Sequence, residues 1–204
     1  MKKTDQATRQ RILKAALSRF AHGGYAGTSV QDIVDDARVS KPTLYYYFGN
    51  KAGLYQALVD RAFDERFRLI QAAEQRRSSL PDKLVEIIAA LFAFLRTNRE
   101  LMHLAFATAF AAPGEVPAEI RYMDKSLRNF EFIHALIKQG QAAGELEQRF
   151  DSQELAFGIF GLLNIYVMAH LLMPGCQLNR RRAERIVELF LTGAAARQTR
   201  NAVT

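Results

Sequence analysis

Residues 41–47, KPTLYYY, concentrate one lysine, one threonine and three adjacent tyrosines in a short segment. Lys41 can donate to guanine O6 and N7 or to a phosphate, and Thr43 can touch a thymine methyl group. Tyr45, Tyr46 and Tyr47 cannot all face inward on a helix with a 3.6-residue period, so at least one is exposed. Tyrosine hydroxyls can reach phosphate oxygens. These residue types suit contact with double-stranded DNA.

Two short helices joined by a turn are predicted to position this segment. The first begins at Thr28, with Gln31 three residues later completing a capping-box pattern. The turn is Arg38-Val39-Ser40, and Ser40 can cap the second helix, which Gly49 ends. A preceding helix, capped by Thr4 or Asp5 and ended by His22-Gly23-Gly24, completes the unit. The buried positions predicted for the three helices are Ile12, Leu13, Ala16, Leu17, Phe20, Val30, Ile33, Val34, Ala37, Leu44 and Phe48. This arrangement is a helix-turn-helix.

Positive charge is concentrated in the same part of the chain. Residues 1–51 carry nine of the lysines and arginines and four aspartates, which accounts for five of the seven net positive charges. A local basic excess is expected where phosphates are bound. The amides at Thr28–Val30 and Asn50–Ala52 begin helices and can also bind phosphate, with Lys51 adding a charge.

These residues resemble a known family. Thr28-Ser29-Val30, Ile33, VSKPTLYYYF over 39–48, Lys51 and Leu54 are similar to the DNA-binding domain of TetR-type transcriptional regulators, over about residues 5–60. The resemblance implies phosphate contacts from Thr28 and Lys51. Arg38 stands where the family usually has glycine, and a non-glycine in a left-handed turn is strained, although an arginine there could add a phosphate contact. The predicted DNA-binding residues are Thr28, Ser29, Gln31, Arg38, Ser40, Lys41, Pro42, Thr43, Tyr45, Tyr46, Tyr47 and Lys51.

The remainder of the chain is predicted to be helical, giving an all-α protein of about nine helices. A long helix from Asn50 to about Gln75 connects a DNA-binding domain, residues 1–50, to a ligand-binding and dimerisation domain, residues 51–204. The later helices are predicted at about 81–95, 102–110, 118–143, 152–172 and 180–195. Gly144 and Pro174-Gly175 are expected to separate the last three.

Residues 155–173 carry no formal charge, which raises a transmembrane interpretation. Asn164, Tyr166, His170 and two glycines favour instead a helix buried between two subunits. The TetR resemblance also implies dimerisation through the last two helices, and a dimer would present two recognition helices to two half-sites. The predicted interface residues are Leu155, Gly158, Ile159, Leu162, Ile186, Leu189, Phe190 and Gly193.

Bulky apolar residues in the middle helices predict a ligand cavity with a few polar groups. Few acidic residues lie on the apolar stripes, so the expected ligand is neutral or weakly anionic and apolar or aromatic, and not a lipophilic cation. The alternative for each residue is a place in the ordinary core. The predicted lining is Phe92, Met102, His103, Phe106, Phe110, Met123, Phe130, His134, Phe160, Asn164 and Tyr166.

Signatures of catalysis and of metal or cofactor binding are not recognised in the sequence, so the chain is expected to be neither an enzyme nor a cofactor protein. The single cysteine, Cys176, excludes an intramolecular disulfide, and no signal peptide is expected, which together favour the cytoplasm. The sequence thus predicts a bacterial homodimeric repressor that leaves a near-palindromic operator when a small molecule binds. The alternatives are a non-responsive architectural DNA-binding protein and a membrane-associated helical protein.

Overall fold

The computed structural model describes the backbone of residues 3–77, 79–173 and 175–193, with side chains from Asp5 onward. These ranges contain nine helices and no β-strand, which confirms the all-α prediction. The helices are α1 Lys3–Gly23, α2 Val30–Ala37, α3 Lys41–Phe48, α4 Lys51–Glu74, α5 Leu80–Thr97, α6 Arg99–Ala109, α7 Met123–Ala142, α8 Ser152–Leu172 and α9 Arg180–Thr192.

Short polar side chains begin several of these helices by accepting the free amides of the first turn. Ser40 Oγ accepts from the Thr43 amide at 3.3 Å and Asn50 Oδ1 from the Gly53 amide at 2.7 Å. Asp151 Oδ1 accepts from the amide of the second residue of α8 at 2.7 Å. These three predicted helix starts are confirmed.

Several predicted helix boundaries were wrong. Helix α1 begins at Lys3, so neither Thr4 nor Asp5 caps it, and the Asp5 carboxylate instead accepts a hydrogen bond from Tyr47. Helix α7 begins at Met123 and not near residue 118, because the Gln56 side chain bonds both backbone groups of Arg121 at 2.8 and 3.1 Å and holds that segment out of a helix. Helix α9 ends at Thr192, and the predicted extension over residues 194–195 lies outside the described residues.

Two hydrophobic cores share α4. The first contains α1, α2, α3, the first half of α4 and α6, together with Ile120. The second contains the end of α4 with α5, α7, α8 and α9. Because α4 contributes to both cores, one continuous helix joins them. The boundary at residue 50 remains a prediction.

A buried polar contact fixes α4 against α6. The Tyr55 hydroxyl lies 2.8 Å from Thr108 Oγ1, which itself donates to the Leu104 carbonyl at 2.7 Å, so the tyrosine is the donor. Burial raises the pKa of the Tyr55 hydroxyl, because the phenolate would be desolvated. The contact therefore persists as a neutral hydrogen bond and sets the register between the two helices.

Glu86 on α5 joins the α4–α5 turn to the start of α9. Its carboxylate accepts from Arg77 and from Arg180, each at 2.9 Å, and its side chain is 12% exposed. These hydrogen bonds lower the pKa of Glu86 from 4.5 to about 2. The charged pair thus anchors α9 to the second core.

We expect Glu86→Gln to lower the free energy of unfolding at neutral pH by about 1–2 kcal/mol, after allowance for solvent screening. The folded-state pKa is depressed, so this stability is present above about pH 4.5 and is lost as the pH falls towards 2. Urea unfolding of wild type and variant across that pH range should therefore converge at the acid end. Glu184→Gln is the control, because Glu184 contacts Arg180 at 3.2 Å while 53% exposed. A constant difference at all pH values would contradict the assignment.

Candidate nucleic-acid interface and ligand cavity

Helix α2 is capped by Ser29 and not by Thr28 as predicted. Ser29 Oγ accepts from the Asp32 amide at 3.1 Å, and the Asp32 carboxylate accepts from the Ser29 amide at 3.3 Å, so Asp32 takes the place predicted for Gln31 in the capping box. Gln31 is exposed and its side chain donates to Asp35 at 2.8 Å. The helix start nevertheless lies where the sequence placed it, within one residue.

Thr28 is a correction to the predicted phosphate contacts. It is 4% exposed, and its hydroxyl lies 3.1 Å from the Arg19 carbonyl and 2.8 Å from the Gly24 carbonyl. A side chain bonded in this way closes the turn between α1 and α2 and does not face DNA. The sequence alone does not show which of the adjacent hydroxyl residues, Thr28 or Ser29, caps α2 and which is buried in the turn.

Arg38 occupies the turn between α2 and α3 in the left-handed conformation, with φ 53° and ψ 53°. Its amide bonds to the carbonyls of Val34 and Asp35, which ends α2. A non-glycine residue in this region costs roughly 1–2 kcal/mol. The predicted strained turn is confirmed, and the exposed guanidinium is free to reach a phosphate.

Two substitutions at Arg38 should separate the effect of its backbone strain on stability from the effect of its charge on DNA binding. Arg38→Gly is expected to stabilise the fold by about 1 kcal/mol, because it removes the left-handed strain. Arg38→Ala keeps the strain and should change stability little. Both lose the charge, so both should weaken DNA binding equally in fluorescence titrations. Unequal affinities for DNA would show that turn geometry, and not the guanidinium, governs the contact.

Helix α3 presents most of its side chains to solvent. Leu44 is its one residue buried in the core, whereas Lys41 and Pro42 are exposed. Tyr45 is 44% exposed and Tyr46 is 80% exposed. Helix α3 therefore offers a polar and aromatic surface of the kind that fits a major groove.

Tyr47 does not share that surface and corrects a predicted DNA contact. It is half-buried, and its hydroxyl donates to Asp5 on α1. That hydrogen bond, together with burial, raises the pKa of Tyr47. Thr43 is also half-buried, with Oγ1 2.9 Å from Ser40 Oγ. Tyr47 thus fixes the angle between α1 and α3, while Thr43 lies at the edge of the exposed face.

The basic residues around α3 divide into paired and open groups. Lys51 Nζ lies 4.2 Å from the centre of the Tyr25 ring, and partial burial lowers the pKa of this lysine. Arg19 pairs with Asp36 at 2.6 Å, which reduces its contribution to a positive surface. Arg38 and Lys41 are exposed at the start of α3, and Arg11 and Lys14 are exposed on α1. The predicted contribution of residue 2 lies outside the described residues.

Helix α8 has a buried face and an exposed apolar face. The buried face comprises Ala156, Ile159, Leu163, Val167 and Leu171. On the opposite face, Phe157 and Ile165 are each 57% exposed and Leu172 is 68% exposed. These three residues, with Gly161 among them, define what we call the α8 stripe.

Two residues were wrongly predicted to lie at the dimer interface, because they are buried in the core of the single chain. Ile159 is 3% exposed and Ile186 is 1% exposed, so neither can meet a second subunit. Leu189 is 41% exposed on α9. The other predicted residues are exposed (Gly158, Gly193) or half-buried (Leu155, Leu162, Phe190). Because α8 is apolar on all sides, its sequence does not show which face packs inward, so the α8 stripe was missed.

Helix α8 is also long and apolar enough to cross a membrane, and 28% of its most apolar window is buried within the chain. It nevertheless packs against α7 and α9 in the second core. Either a lipid phase or a protein partner would cover its outer face.

A cavity of about 340 Å³ lies between α4, α6, α7 and α8. Four of the predicted lining residues, Phe106, Phe110, Phe160 and Asn164, surround it. Residues that the prediction did not include complete the wall: Phe63, Arg66, Ala105, Ala109, Ser126, Gly161, Ile165 and Met168. The lining is therefore largely apolar with a few polar groups, as expected of a small-molecule site.

The other predicted cavity residues lie elsewhere. Phe92 and Met102 are 1% and 3% exposed members of the second core, and Met123 is 53% exposed at the start of α7. His103 is exposed and lines a separate 360 Å³ cavity between α1 and α6. Tyr166 packs beneath Arg182 of α9 at 5.4 Å. Their apolar or amphipathic character was read correctly, but the direction of each side chain was not.

Phe130 and His134 form a third group behind the cavity wall, where the Phe130 ring meets the cavity residue Phe160 edge to face at 5.6 Å. The Phe130 ring stacks on Phe157 at 4.7 Å and on His134 at 6.0 Å. His134 Nε2 lies 2.9 Å from Ser152 Oγ. This group ties α7 to the start of α8.

Arg66 is the functional candidate that the sequence analysis missed. It is 7% exposed and lies on the apolar face of α4, between Phe63 and Ile70. Burial lowers the pKa of Arg66 to about 10, so it remains charged at neutral pH. A charge inside an otherwise apolar helical stripe was the signal that could have revealed it.

Comparison with known proteins assigns this arrangement to a family. Residues 12–58 match the model of the bacterial regulatory proteins of the tetR family. The HTH-type regulator YvkB of Bacillus subtilis is 30% identical over 93% of this chain and 98% of its own. The HTH-type repressor SCO4008 of Streptomyces coelicolor is 26% identical over 78% of each chain. The fold matches Bacillus subtilis FadR in complex with stearoyl-CoA, with a TM-score of 0.71, 20% identity and coverage of 91% and 99%. The chain belongs to the TetR family of DNA-binding transcriptional regulators.

Proposed function

We propose that this chain is a cytoplasmic homodimeric repressor, without catalytic activity, that leaves a near-palindromic operator when a small molecule enters the α4–α8 cavity. One observation carries the proposal: a single helix, α4, follows the exposed α3 after only two intervening residues and lines the cavity with Phe63 and Arg66. The Streptomyces relative is a transcriptional repressor, and one structural neighbour, Bacillus subtilis FadR, binds stearoyl-CoA.

The α8 stripe supports the dimer. Contiguous apolar side chains are rarely left in water, and a second copy of the same stripe would cover them symmetrically. Leu189 on α9 extends the apolar area. A two-fold dimer would present two α3 helices to half-sites roughly 34–36 Å apart.

Ligand response follows from the packing of α4. The helix spans 24 residues, about 36 Å, and contributes to both cores. A ligand that binds one orientation of α4 better than another shifts the population towards it. A changed orientation alters the separation of the two α3 helices, so operator affinity falls by the same coupling free energy.

Selection of bound fragments from random and genomic DNA, using the full-length protein, tests the proposal. We expect enrichment of an inverted repeat and a soluble dimer in buffer without detergent. Binding of all sequences with affinity set by salt alone would favour an architectural DNA-binding protein instead. A requirement for detergent or lipid would favour the membrane-associated alternative through α8.

A further inference from the structure

The buried arginine in the cavity has no counter-charge. Arg66 is 7% exposed, and within the described ranges it makes neither an ion pair nor a hydrogen bond. Burial is the recorded cause of its lowered pKa, with no neighbouring acid opposing it. Buried charges in proteins are normally paired, because desolvation of an isolated ion is costly. An unpaired guanidinium at a cavity wall therefore calls for an explanation outside the apo chain.

The acidic residues close to Arg66 on α4 form ion pairs with other basic residues. Asp60 and Asp64 accept from Lys125 at 3.1 and 2.6 Å, and Asp64 also accepts from Arg128 at 2.9 Å. Glu65 pairs with Arg68 at 2.6 Å. The helix that carries Arg66 thus offers three carboxylates within six residues, and each is paired with a cation other than Arg66. The guanidinium is directed instead towards the cavity.

The cavity-lining residues other than Arg66 indicate the chemistry of the part of a ligand that does not contact this arginine. Phe63, Phe106, Phe110, Phe160, Ile165 and Met168 supply apolar surface, whereas Ser126 and Asn164 are the polar lining residues beside Arg66. A volume of 340 Å³ has room for on the order of ten to fifteen non-hydrogen atoms. No acidic side chain lines it, so a cation would meet only repulsion from Arg66.

We propose that the cavity binds a small amphiphilic carboxylate, with the acid group paired to Arg66 and a medium-length alkyl or aromatic body against the phenylalanines. Guanidinium and carboxylate match in a bidentate geometry, so this pairing supplies the missing counter-charge. The inference rests on the proposed ligand-responsive function and names the class of effector. Since Arg66 lies on α4, the ligand contacts the helix that begins next to α3.

Calorimetric titration of the full-length protein with octanoate, octanamide and octylamine tests this pairing. We expect octanoate to bind wild type about tenfold or more tightly than octanamide, with octylamine weakest. In Arg66→Met the preference for the acid should disappear. Arg68→Met is the matched control, because Arg68 is a solvent-exposed arginine on the same helix, and it should keep the preference.

Stability of the empty protein provides a second measurement. Arg66→Met removes an uncompensated buried charge, so its thermal midpoint should equal or exceed that of the wild type. A thermal midpoint lower than that of the wild type would show that Arg66 has a structural role. In the titrations, equal affinity of the wild type for octanoate and octanamide would overturn the proposal. Failure of all three probes to bind would overturn it as well. Octanoate binding through Arg66 without any change in operator affinity would support the site while contradicting ligand-controlled repression.

Discussion

Ile165→Glu is expected to convert the dimer into a folded monomer that binds operator DNA about 10²–10⁴-fold more weakly than wild type. Ile165 lies at the centre of the α8 stripe and also borders the α4–α8 cavity, but it is 57% exposed in the single chain, so a glutamate there can remain in water in the isolated subunit. Dimer formation would move the glutamate from water into an apolar interface, and this loss of hydration opposes association. Sedimentation velocity gives the mass, and fluorescence anisotropy with the selected operator gives the affinity.

Leu127→Glu is the matched control for that experiment. Leu127 is 49% exposed but lies on α7, outside the α8 stripe. This variant should remain dimeric and bind operator normally, since it adds the same charge on a different surface. A dimeric Ile165→Glu protein with wild-type affinity would show that another face joins the subunits.

The second large effect is expected from Tyr46→Ala. Tyr46 is 80% exposed on α3, so removing its side chain should change stability by less than about 0.5 kcal/mol. If the ring and hydroxyl contact DNA, operator binding should weaken by about 1–3 kcal/mol at each half-site. Affinity for unrelated DNA should fall much less, and the protein should remain a dimer.

Tyr47→Phe is the comparison that distinguishes a residue recognising DNA from a residue stabilising the fold. It removes the hydroxyl that bonds Asp5 but keeps the ring that packs against the first core. We expect lower stability in chemical unfolding and an unchanged preference among operator sequences. If Tyr46→Ala behaved like Tyr47→Phe in both assays, α3 would be oriented differently on DNA from the proposal.

Much of the fold could be predicted because local signals agreed along the chain. Ser40, Asn50 and Asp151 are short polar residues immediately before periodic apolar runs, and each caps the helix predicted for it. The start of α7 could not be predicted this way. It depends on the Gln56 side chain, which bonds the Arg121 backbone across 65 positions of sequence. Single-sequence periodicity contains no information about such a contact.

The candidate sites show the same limit. The exposed face of α3 followed from its composition, since three adjacent tyrosines cannot all face inward, and Tyr45 and Tyr46 are indeed exposed. Thr28 and Tyr47 were misassigned because their hydroxyls have local or distant protein acceptors that sequence does not show. In α8 the apolar residues surround the helix, so only packing reveals that Ile159 faces inward and Ile165 outward.

The small share of α3 in the core has a consequence for evolution. Because Leu44 alone is fully buried there, substitutions at the neighbouring exposed positions alter the surface offered to DNA at little cost to folding. A duplicated gene could acquire a new target sequence through a few such changes while keeping its cavity and its subunit contacts. Operator preference and effector preference are therefore free to diverge independently within one scaffold.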